Sequence, residues 1–125
     1  MRKTILLLLA FVLLATISAC GKKSTDENTP LDQVKAAAAK MDATQLRAAA
    51  LSFKDSVVAK QTQLKQISEQ LMAIGPTELQ SQKATQLKAE LDKAEKSIMA
   101  LKERFNVYYE QLKAKAGDLT GLELP

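Results

Sequence analysis

Cys20 is the only cysteine among 125 residues, and the chain has no histidine. A thiol can serve as nucleophile, redox partner, metal ligand or acceptor of a lipid, and the first three roles need a base, a second thiol or further ligands beside it. A lone cysteine forms no internal disulfide, and without histidine the commonest general base and metal ligand is missing. Glu90, Asp92 and Glu95 are close enough in sequence to invite an acid–base reading, yet they alternate with Lys88, Lys93 and Lys96. On a helix that spacing gives solvent-facing ion pairs rather than a carboxylate pair with split protonation. Gly75 and Gly117 are isolated and fall where helical patterns end, so no glycine-rich phosphate loop is formed. The expectation is a protein that is not an enzyme and holds no metal and no dissociable cofactor.

The surroundings of Cys20 give its thiol a purpose. Met1-Arg2-Lys3 is followed by an apolar run over residues 5–15 and then by small residues up to Ala19, the pattern of a secretory leader. Residues 5–19 number about fifteen, short of the roughly 20 needed to cross a bilayer. The closing tetrapeptide Ile17-Ser18-Ala19-Cys20 resembles the lipobox of bacterial membrane lipoproteins, in which an aliphatic residue and two small ones precede the lipidated cysteine. The resemblance covers about the first twenty residues, and residues 21–125 resemble no particular family. It implies a signal peptide over 1–19, cleavage between Ala19 and Cys20, and a diacylglycerol and an N-acyl chain such as palmitate on Cys20. It also implies a membrane anchor facing away from the cytoplasm, in the outer membrane if the organism has two, since Gly21 stands after the cysteine. Secretion as a soluble protein after Ala19, and retention of the leader as an anchor, are the two competing readings.

Removing residues 1–19 leaves 106 residues, enough for one small domain. The aromatic residues left are Phe53, Phe105, Tyr108 and Tyr109, in a background of Ala, Leu, Lys, Gln and Glu. These are strong helix formers, and no window alternates apolar and polar residues long enough to favour a strand, so the fold is expected to be all-α. Arg2 and Lys3 leave with the leader, so 16 of the 18 basic residues face 14 acidic ones. Charges of both signs are interspersed and no basic stripe carries aromatics, which argues against nucleic acid as a partner.

Residues 20–29 are polar and aperiodic after the cysteine and read as a flexible tether. Thr29-Pro30-Leu31-Asp32 supplies an N-cap hydroxyl, an N1 proline and an early acid, so a helical domain is expected over 30–116. Leu46, Ala50, Phe53, Val57, Lys60, Leu64, Ile67, Leu71 and Ile74 recur at steps of four and three, broken in character only by Lys60. Ala84, Leu87, Leu91, Ala94, Ile98, Leu101, Phe105, Tyr108 and Leu112 repeat the pattern after Gly75-Pro76. A mean step of 3.5 over about four heptads in each arm is a coiled-coil seam. Two arms with a turn at 75–76 make an antiparallel helical hairpin, with Gly75 left-handed at the first arm's end and the second arm starting at Thr77. Folding about residue 75 sets Phe53 against Ile98 and Leu46 against Phe105.

Asp42 and Gln45 are spaced as a capping box, with Met41 and Leu46 as its staple, which would make residues 30–41 a short third helix. Against that, no Gly or Pro occurs between Leu31 and Ile74, and an unbroken first arm matches the second in length. The unbroken arm is the favoured expectation. Gly117 is expected to end the second arm, leaving 117–125 as a tail.

Off the seam, Leu51, Val58, Met99 and Val107 form apolar stripes far from the turn, joined by Tyr109. They either pack residues 30–41 folded back or meet a partner, and a bare two-helix hairpin favours the second because its outer faces stay wet. The functional expectation is a lipid-anchored cell-envelope protein whose hairpin is a structural or protein-binding module, associating with itself or with another envelope protein. The alternative is a small inhibitor or immunity-type lipoprotein, or one holding a hydrophobic ligand where Ala50, Ala84 and Ala94 leave space.

Overall fold

The computed structural model describes residues 26–125. The leader, the Ala19–Cys20 junction and most of the tether lie outside the described residues. Those described form three α-helices and a single 3-10 turn, with no strand among them. Helix α1 spans Leu31–Ala39, α2 Ala43–Met72 and α3 Gln82–Ala114, with the 3-10 turn at Pro76–Glu78. Helices α2 and α3 pack along their lengths as an antiparallel hairpin, and α1 lies against α3.

The first arm is therefore broken, and residues 31–39 are a separate helix rather than a continuation of α2. The capping box prevails. Asp42 Oδ1 accepts from the Gln45 backbone N–H at 2.8 Å, and Gln45 Oε1 accepts from the Asp42 N–H at 3.1 Å. These two bonds satisfy donors that an α-helix start leaves orphaned, while Met41 and the fully buried Leu46 close the staple. No glycine is needed because the chain turns through ordinary dihedrals: φ −91°, ψ −10° at Lys40 and φ −77°, ψ 172° at Asp42.

Two contacts fix the direction of α1. Arg104 Nη2 donates to the Thr29 carbonyl at 2.6 Å, just before α1, and Lys115 Nζ donates to the Met41 carbonyl just after it. Helix α1 thus runs parallel to the last third of α3. The Lys115 ammonium also supplies positive charge at the C-terminal end of α1, which has no basic residue in its own last turn. Thr29 does not cap α1. Its hydroxyl donates to Asp26 Oδ2 at 3.1 Å, Pro30 takes the cap position, and the Pro30 carbonyl accepts from the Gln33 and Val34 N–H groups.

The hinge is longer than a Gly-Pro pair. Helix α2 ends at Met72, Gly75 is extended at φ −65°, ψ 157° rather than left-handed, and Pro76 opens the 3-10 turn instead of α3. Helix α3 starts at Gln82 because the Ser81 hydroxyl accepts from the Ala84 N–H at 3.2 Å. Phe53 stacks on Tyr108 at 5.4 Å between ring centroids, and Ile98 lies in the same buried cluster.

Two clusters make up the core. The larger joins Val34 and Ala38 of α1, Leu46 to Val57 of α2, Ile98 to Leu112 of α3, and Leu122 of the C-terminal segment. The smaller, toward the hinge, rests on Ile67, Leu87 and Ala94 with half-buried Leu64, Leu71, Ile74 and Leu91 around them. Every apolar seam position of both arms is buried or half-buried, and so is Lys60.

Residues 117–125 belong to this architecture. Leu122 is completely buried, and Leu119 and Leu124 pack against the larger cluster. Arg47 Nη1 donates to the Asp118 carbonyl at 2.9 Å and Lys54 Nζ to the Gly121 carbonyl at 2.6 Å, so the tail runs along α2 toward the hinge. The end of the molecule remote from the hinge is a three-helix bundle closed by the tail. The hinge end is a bare pair of helices.

Candidate interaction surface and the strap on helix 3

Of the residues proposed as a contact surface, three are engaged within the chain. Leu51, Val107 and Tyr109 are half-buried and pack against the larger cluster, Tyr109 stacking on Phe105 at 5.7 Å. Val58 and Met99 remain open, 41% and 65% exposed. The hairpin tip adds Met72 and Leu79, both exposed. Cys20 and Ala19 lie outside the described residues, so the geometry of the lipidation position is not on view.

Val107 lines a shallow groove of about 360 Å³ where α1 meets α3, with Lys35 on one side and Glu103, Asn106, Glu110 and Gln111 on the other. Its open surface is mostly carbon belonging to long polar side chains, which cover apolar helix surface with their stems. A smaller cleft of about 180 Å³ lies where Lys60 interrupts the seam, lined by Glu27, Lys60, Gln63, Glu90, Lys93, Ala94 and Ser97. Ala50 and Ala84 are fully buried and Ala94 nearly so. Small residues there bring the helices together, and the cleft beside Ala94 is lined by charge rather than hydrocarbon.

The polar feature that the periodicity did not single out is the face of α3 bearing Ser97 and Arg104. Both are buried, Arg104 to 7% exposure. Arg104 Nη1 donates to the Ala100 carbonyl at 2.8 Å and Nη2 reaches Thr29, while Nε finds no partner among the described residues. Glu27 accepts from the Ser97 hydroxyl. Residues 26–29, assigned to the tether by composition, are thus strapped across α3. Asp26 turns this strap by accepting from the Asn28 N–H at 2.8 Å and from the Thr29 hydroxyl. These bonds, with the Arg104 charge nearby, hold the Asp26 carboxyl below its ordinary value. The signal for the strap was present in sequence as a serine and an arginine seven residues apart, on a helix face adjoining the seam.

Chemistry is sparse across the described residues. No group of three metal-ligating side chains comes together among them, and no described helix is long and apolar enough to cross a membrane. Glu90 and Glu95 are exposed, and Asp92 pairs with Lys96 at 2.7 Å, an i,i+4 bridge that raises the lysine's pKa. Burial pushes the Tyr108 hydroxyl up; its ring serves the core. No protein-family model, curated protein or solved structure matches the chain.

Proposed function

We propose that this chain is a bacterial lipoprotein of the cell envelope, anchored by lipid on Cys20, whose helical bundle is a structural or protein-binding module. The observation that carries the reading is the run from Met1-Arg2-Lys3 through the apolar residues to Ile17-Ser18-Ala19-Cys20. It accounts for the single cysteine and for an apolar leader too short to span a bilayer. The mechanism is tethering: the lipid sets the place, and the bundle presents a fixed surface to its neighbours. The surface offered is the open apolar pair Val58 and Met99, and the partner is a second copy or another envelope protein.

The test is replacement of the acceptor. Cys20→Ala is expected to abolish fatty-acid labelling and to release the protein from membranes. A variant that still fractionates with membranes would overturn the anchor. Cross-linking in cells through a photoreactive residue at Met99 then identifies the partner.

A further inference from the structure

The strap on α3 fixes where the tether leaves the bundle, and from it we infer that the anchored protein lies with its flank against the bilayer rather than standing on an end. The inference rests on the lipid anchor of the preceding section. Glu27 is bound at Ser97 and Thr29 at Arg104, so the chain leaves the bundle near the middle of α3, which runs from Gln82 to Ala114. At 1.5 Å per residue, Ser97 is about 22 Å from the hinge-side end of α3 and about 26 Å from its other end. Cys20 precedes Glu27 by only seven residues. Fully stretched that segment reaches about 25 Å, and as a relaxed coil its mean span is about 15 Å. Standing the bundle on its hinge would draw the tether nearly taut along α3, and standing it on the other end would exceed the tether's reach. A flank-on arrangement leaves it slack.

The surface turned to the lipid is the strap side, where Lys93 and Lys96 stand beside Glu27 and Asp92 and Lys96 is paired with Asp92, so the charge there is balanced and the reach of the tether alone sets the orientation. Met99, two residues beyond Ser97, is rotated about 200° round the helix. The same geometry therefore points the most open apolar residue of α3 away from the membrane, toward neighbours.

The experiment uses the full lipidated chain in vesicles that carry a quencher at headgroup depth. A fluorescent probe is placed at the hairpin tip through Met72→Cys in one sample and at the opposite end through Lys113→Cys in another. Both positions are exposed, and in the lipidated chain the proposed anchor would leave no free thiol at Cys20. Flank-on docking gives comparable quenching at the two ends, and a flexible Gly-Ser insertion between Lys23 and Ser24 lowers both together. Quenching at one end with its loss at the other overturns the orientation while leaving the anchor standing. Failure of Cys20 to incorporate fatty acid overturns the anchor, and the orientation with it.

Discussion

Ala116 sits at φ +53°, the left-handed position that closes α3. The Ala116 N–H donates to Lys113 and the Gly117 N–H to Leu112, the paired bonds of a Schellman stop. The stop thus uses an alanine at the position where glycine is commonest, while Gly117 follows for a different reason. A Cβ at residue 117 would fall 2.1 Å from Leu112 Cδ1, a side chain with no exposed surface. Ala116→Gly is expected to stabilise the fold by up to about 1 kcal/mol, the left-handed strain removed exceeding the entropy that glycine adds to the unfolded chain. Gly117→Ala is expected to destabilise it; thermal unfolding of the two variants beside the parent checks both signs. The sequence marked residue 117 as the stop, but which neighbour takes the positive φ depends on how closely Leu112 must pack. The break at Asp42 was more legible: its capping box and staple could be read residue by residue, and they outweighed the missing glycine. Asp42→Ala is expected to cost about 1 kcal/mol, read by the same unfolding measurement.

The seams of α2 and α3 were legible because period 3.5 encodes burial directly, whereas the short elements owe their places to contacts distant in sequence. Leu122 is buried in the cluster that joins all three helices, and no periodicity in eight or nine residues announces that. Leu122→Ala is expected to cost about 2–5 kcal/mol, as for other fully buried leucines, a loss that a disordered tail would not show. Charge holds the same segment. Asp118 pairs with Arg47 at 3.9 Å and accepts from the Thr120 N–H at 3.0 Å. These bonds, those to Thr120 above all, hold its carboxyl below the ordinary aspartate value. A depressed carboxyl contributes stability that is present above the unfolded value and disappears as pH falls through the folded one. Acidification below that range should loosen the tail before the helices. Amide exchange at Leu122 is the readout, with Asp118→Asn reproducing the loosening at neutral pH.

The whole molecule is uneven along its length, and that bears on association. A bare hairpin leaves both outer faces wet, but here α1 covers part of α3 and the tail covers part of α2, so at the end remote from the hinge the core is covered from within the chain. Among the described residues the large apolar side chains left open are Val58 and Met99 at mid-length and Met72 and Leu79 at the tip. A few scattered apolar side chains do not make the extended patch of an obligate dimer. The proposed lipid anchor would change this, because confinement to a membrane raises the local concentration of copies and favours weak contacts without any added surface. The expected behaviour is therefore conditional: monomers for the released Cys20→Ala protein at micromolar concentration, and neighbour contacts among lipidated copies on vesicles. Replacing both Val58 and Met99 with Glu should abolish those contacts while leaving helicity and unfolding temperature nearly unchanged, since neither side chain is in the core. Cross-linking yield against surface density, for the parent and the double variant, measures it. A stable dimer of the unlipidated protein, or vesicle cross-linking indifferent to the two charges, would place the contact elsewhere on the bundle.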